Sequence, residues 1–94
     1  MVDDARLKKI KFRASHRGFV EADLILGGFA DAHVAELSEE QLDRLEALMG
    51  EADPDIYAWI LGQADVPPQF DTDVLAMIRA FKVPGARGAL QREG

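Results

Sequence analysis

Apolar positions along the chain recur every three or four residues, and no segment alternates with period two over a useful length. That pattern predicts helices and no sheet. In the first segment Leu7, Ile10 and Ala14 share one face, and Arg6, Lys9 and Arg13 form a parallel basic stripe. A helix is therefore expected from about Asp4 to about Ser15. Arg17-Gly18 interrupts it, glycine being the residue that most easily leaves a helix through a positive φ. A second helix is expected from Phe19 to about Ala35. Its Leu24-Ile25-Leu26 run is apolar on consecutive positions, which implies burial on several sides. Gly27 and Gly28 lie inside it at a cost of about 1 kcal/mol each. They mark either a close approach of a neighbouring helix or a kink.

The remaining helices carry stronger start and stop signals. Ser38 with Gln41 three residues on forms a capping box, and Leu37 with Leu42 forms a hydrophobic staple. Leu42, Leu45, Leu48 and Met49 make the buried stripe of this third helix, and Gly50 ends it. Asp53-Pro54 reads as an acidic N-cap followed by proline at the first helical position. Ile56, Trp59 and Ile60 then share a face, with Tyr57 and Leu61 beside it, and Gly62 stops the helix. Val66-Pro67-Pro68 is a stiff connector. A fifth helix is expected from about Asp71, with Asp71 and Asp73 favourable at its N-terminus and Val74, Leu75, Ile78 and Phe81 pointing inward. Arg79 and Lys82 suit its last turn. The expected fold is all-α, a compact five-helix bundle over residues 1–83. Its core holds Leu24, Leu42, Leu45, Trp59, Ile60, Leu75 and Ile78, and residues 84–94 form a flexible basic tail.

At 94 residues this is one domain with one core. The absence of Cys excludes disulfides, thiolate metal sites and cysteine nucleophiles. A net charge of −6 argues against general nucleic-acid binding. The charge is uneven: residues 1–17 carry +4, residues 18–78 carry −13 and residues 79–94 carry +3. The basic first helix beside an acidic middle raises the prospect of docking to an acidic partner. No uninterrupted apolar run is long enough to span a membrane, and the N-terminal stretch lacks the apolar centre of a secretory signal. A cytoplasmic location is the expectation.

Candidate chemistry is sparse. His33 and Glu36 stand three apart, but one pair is too few ligands for zinc. Ser38 is accounted for by helix capping, and Gly27-Gly28 lacks the spacing of a phosphate loop. No catalytic constellation is present, so the protein is not expected to be an enzyme. The segment Arg13 to Asp23 stands apart. Arg17 and Glu21 are four residues apart, and the plainer reading is a local ion pair worth a few tenths of a kcal/mol. Yet arginine at a helix N-terminus opposes the dipole, and Arg-before-Glu is the weaker order. A recognition corner at the glycine junction is the other reading, with Arg13, His16, Arg17, Gly18, Glu21 and Asp23 as its candidate partner-binding residues.

The Arg-Gly-x-x-Glu pattern at Arg17, Gly18 and Glu21, followed by Asp23, resembles the signature of the FAD assembly factors of succinate dehydrogenase. The similarity extends through Asp23-Leu24-Ile25-Leu26-Gly27 with Phe29-Ala30-Asp31, and through Leu37-Ser38. It includes Asp53-Pro54-Asp55-Ile56-Tyr57-Ala58-Trp59-Ile60-Leu61-Gly62, covering roughly residues 6–82 in all. Phe19, Val20, Ala22 and Gly28 depart from common members and bear on client preference.

The resemblance implies a five-helix bundle and a non-enzymatic factor. Such a factor binds the flavoprotein subunit of succinate dehydrogenase, and often that of fumarate reductase, and promotes covalent attachment of FAD. The bond joins a client histidine to the flavin 8α carbon, so FAD belongs to the client and no cofactor or metal is held stably. Arg17, Gly18 and Glu21 carry over as motif positions, with Asp23 beside them. No nucleic acid or membrane insertion is implied, and the free protein is expected to be a monomer. The alternative is the antitoxin component of a toxin–antitoxin pair or another small helical interaction module.

Overall fold

The computed structural model describes residues 3–81, in which five α-helices and two short 3₁₀ turns are joined by tight connections. The helices are α1 (Asp4–Ser15), α2 (Val20–His33), α3 (Glu39–Met49), α4 (Asp53–Leu61) and α5 (Asp73–Phe81). No strand occurs among the described residues, so the five-helix expectation holds. Lys82, Pro84-Gly85 and the 84–94 tail lie outside the described residues.

Local chemistry sets most boundaries. Asp3 caps α1 by accepting from the Ala5 amide. The capping box of α3 is complete: the Gln41 amide donates to Ser38 Oγ at 3.1 Å, and the Ser38 amide donates to Gln41 Oε1 at 3.0 Å. Leu37 and Leu42 of the staple are both buried. Gly62 ends α4 with φ +73°, and Gly18 leaves the α1 corner with φ +89°.

Other boundaries shift. Helix α2 stops at His33 and tightens into a 3₁₀ turn over Val34–Glu36, short of the Ala35 end expected. Ala52, not Asp53, is the N-cap of α4, because its backbone is extended while Asp53 is already helical. Pro54 accordingly falls at the second helical position. Helix α5 begins at Asp73, since Pro68–Phe70 first form a 3₁₀ turn. The Thr72 hydroxyl accepts from the Leu75 amide at its start.

Helix α2 is the central element, touching α1, α4 and α5. Its Ala22, Ile25, Leu26, Phe29 and Ala30 are buried, and α3 closes the core through Leu42, Leu45, Leu48 and Met49. Trp59 lies in the core with its ring stacked on Phe70, and Ile60, Leu75 and Ile78 are buried as expected. Leu24 corrects the expectation: it is 60% exposed. Three consecutive helical positions span about 200° of arc, and the neighbours of α2 bury Ile25 and Leu26 while leaving Leu24 open. Arg6 also leaves the basic stripe, because its guanidinium is engaged by Asp43 and Glu46 of α3. Arg44 of α3 in turn pairs with Asp73, whose carboxyl is held below its ordinary range by hydrogen bonds from Gln41 and Arg44.

The two glycines of α2 mark close approach, not a kink: the helix runs unbroken through them. A Cβ on Gly27 would lie 2.9 Å from Ser15 Cβ and 3.2 Å from Ser15 Cα of α1. One on Gly28 would meet only the Phe81 ring, at 3.2 Å. Gly27→Ala should gain about 1 kcal/mol of helix propensity. It should lose more, about 1–3 kcal/mol, by forcing α1 and α2 apart. A lowered melting temperature is expected for Gly27→Ala and a smaller loss for Gly28→Ala, because an aromatic ring edge yields more readily than a backbone.

Candidate functional site

The corner between α1 and α2 is built by hydrogen bonds that reach across the chain. Gly18 turns the backbone through its positive φ. Asp23, one turn into α2, reaches back and accepts from the Arg17 amide at 2.8 Å and the Gly18 amide at 3.3 Å. These two donors would otherwise be unpaired just ahead of a helix whose own N-cap, Phe19, offers no side-chain acceptor. Phe19 packs its ring against Tyr57 of α4 at 5.5 Å.

Arg17 does not pair with Glu21. Its Nε donates to the Asp53 carboxylate, and its Nη2 donates to the Glu51 carbonyl at 3.1 Å. The Arg17 side chain is only 11% exposed and that of Asp53 20%. The guanidinium therefore ties the corner to the start of α4. This answers why arginine is tolerated next to the N-terminus of α2: its charge is turned towards an acceptor on another helix. The local ion-pair reading is replaced by a tertiary one.

Glu21 stays on the surface, in no ion pair among the described residues. Arg13 is exposed on the last turn of α1. His16 stacks on Phe12 with centroids 4.1 Å apart, and its Nδ1 donates to the Phe12 carbonyl at 2.8 Å. Phe12, Arg13, His16, Arg17 and Asp53 line an open depression of about 260 Å³. Three large apolar side chains are exposed on these two helices: Phe12 at 62%, Val20 at 67% and Leu24 at 60%. Among the described residues no group of three or more His, Asp or Glu could hold a metal, and His33 and Glu36 stand 3.5 Å apart as an isolated pair. No helix there is long and apolar enough to cross a membrane.

The structure places Arg17, Gly18, Glu21 and Asp23 together at the corner, as their spacing suggests, and adds Asp53, whose part there the sequence does not indicate. In the sequence Asp53-Pro54 reads as a capping pair for α4, a sufficient local use for the carboxylate. The unfavourable placement of Arg17 was the signal that a distant acceptor existed, without saying which.

The family model for the flavinator of succinate dehydrogenase matches residues 8–82, which contain the whole corner and all of α4. The chain belongs to this family. It is 42% identical over 72 residues to the mitochondrial succinate dehydrogenase assembly factor 2 of Dictyostelium discoideum, covering 77% of this chain and 51% of that protein. Against the FAD assembly factor SdhE of Acetobacter pasteurianus the identity is 35% over 71 residues, 76% of this chain and 65% of the relative. The assembly factor 2 of Meyerozyma guilliermondii is 34% identical over 80 residues, 81% of this chain and 59% of that protein. The chain thus spans between about half and two thirds of the length of these curated relatives. The bacterial relative supports the bacterial type within the family. No solved structure matches the chain.

Proposed function

We propose that the protein binds the flavoprotein subunit of succinate dehydrogenase and promotes the covalent attachment of FAD to it. The observation that carries this reading is the family match over residues 8–82, within which the exposed corner falls. The corner is suited to holding a protein surface. Gly18 presents bare backbone with nothing within 4 Å of where a Cβ would stand, so a partner can approach closely. Glu21 offers a free acceptor one turn on. Phe12, Val20 and Leu24 offer apolar area, the exposed part of each worth about 1–2 kcal/mol if covered. Arg13 and His16 border the contact, while Arg17 and Asp23 hold it from behind.

In this reading the factor acts as a chaperone and not as an enzyme. The flavin and the histidine that takes it belong to the client, and the factor holds no cofactor of its own. It works as a monomer in the cytoplasm, and the fumarate reductase flavoprotein is a second client. Charge supports an acidic partner surface, because Lys8, Lys9 and Arg13 are exposed on α1.

Deletion of the gene tests the reading. In-gel flavin fluorescence of the denatured flavoprotein band is expected to disappear while the polypeptide remains, and to return on complementation. Undiminished fluorescence in the deletion strain would overturn the assignment. Loss of viability relieved only by removing a neighbouring gene would point to an antitoxin instead.

A further inference from the structure

The Arg17 side chain, only 11% exposed, is held by a residue 36 positions away. We propose that Asp53 is a positioning residue of the docking corner: through Arg17 it fixes where Gly18 and Glu21 stand, without itself touching the partner. The inference rests on the function proposed above and assigns that site a support on α4.

Three observations carry it. First, Asp53 takes the Arg17 Nε while the neighbouring Glu51 carbonyl takes Nη2, so the planar guanidinium is fixed at two points by one turn of chain. A lysine could not make this fork. Second, the carboxylate is not spent on capping, since Ala52 is the N-cap and Asp53 is already inside the helix. Its charge near the positive end of α4 is favourable there and available to Arg17. Third, the backbone on which Arg17 sits is the backbone that Asp23 holds at the Arg17 and Gly18 amides. Arg17 is thus gripped at its main chain by α2 and at its side chain by α4. With Phe19 against Tyr57, the corner has two attachments to α4, one polar and one aromatic. Releasing the polar one frees Gly18, whose φ of +89° leaves it the most easily rotated residue of the corner.

The experiment compares Asp53→Asn, Asp53→Glu, Arg17→Ala and the Arg17→Ala/Asp53→Asn double variant. Each is titrated against the apo flavoprotein subunit of succinate dehydrogenase and followed by thermal melting. Asp53→Asn should melt close to wild type and bind about tenfold more weakly, the loss expected when one charge-assisted contact no longer orders its neighbours. Asp53→Glu keeps the charge and should stay within about threefold, since the longer arm can still reach the guanidinium. The double variant should bind no more weakly than Arg17→Ala, because Asp53 acts through Arg17. Wild-type affinity in Asp53→Asn would overturn the proposal. So would a further loss in the double variant, which would make Asp53 a direct contact, or failure of Asp53→Asn to fold, which would make it a stability residue only. Amide chemical shifts supply a client-free readout: Gly18 and Glu21 should move in Asp53→Asn, and unchanged shifts would sink the idea. If wild type does not bind the flavoprotein, the proposed function falls, and these shifts still decide whether Asp53 positions the corner.

Discussion

A Gly18→Arg protein is expected to fold and to fail at its client. Gly18 has φ +89°, where a side chain adds roughly 1–2 kcal/mol of backbone strain. There is no steric penalty to add, because nothing lies within 4 Å of the position its Cβ would take. A domain of this kind has about 5–15 kcal/mol of stability, so the variant survives with a melting temperature lower by roughly 5–15 °C. The same open space that spares the fold is where a partner's backbone would come to rest. A long guanidinium arm there holds the two surfaces apart. Covalent flavinylation of the client should fall to the level seen without the factor. Gly18→Ala carries the same strain without the bulk and should keep most of its activity, which separates the two causes. Full flavinylation by a folded Gly18→Arg variant would remove the corner from the interface.

The largest loss of stability is expected at Phe29. It is 1% exposed and heads the fully buried side chains by volume. Its ring meets Phe81 edge-on at 5.9 Å and His33 at 5.3 Å. Phe29→Ala removes about 3–5 kcal/mol through lost burial and the cavity left behind. That is about a fifth of the stability at the upper end of the usual range for such domains and most of it at the lower end. The urea midpoint should fall sharply with little change in slope. Phe29 lies eight residues beyond Glu21, about 12 Å along α2, so the corner itself is untouched. Below its melting temperature the variant should therefore still bind the flavoprotein with near-normal affinity. Weak binding by a fully folded Phe29→Ala protein would show that the docking surface extends to the α2–α5 face.

The contrast between these two positions bears on how the molecule is written in its sequence. Gly18 announces itself locally, since a glycine between two helical patterns has few other uses. Phe29 is one apolar residue among many, and only packing makes it the largest of the fully buried side chains among the described residues. Leu24 shows the limit of periodicity. Leu24, Ile25 and Leu26 are equally apolar, and the chain alone does not say which edge of that arc α1, α4 and α5 leave bare. The edge left bare adjoins the motif, which is why an apolar residue is exposed beside Glu21.

What the sequence determined by itself is the set of local structures. The capping box of Ser38 and Gln41, the positive-φ glycines at 18 and 62, and the three-to-four spacing of apolar residues each act within a few residues. Their energetics need no knowledge of the rest of the fold. The tertiary structure alone decided the partners of the charged residues. Arg17 had Glu21 one turn away and took Asp53 instead, because the folded chain brings α4 to the corner and a two-point grip there outweighs an exposed i,i+4 pair worth a few tenths of a kcal/mol. Asp53 had a capping role available and gave its carboxylate to Arg17. A charged side chain at a helix end has several acceptors within reach, separated by less energy than desolvation and packing supply. Its choice is made only once the helices have met.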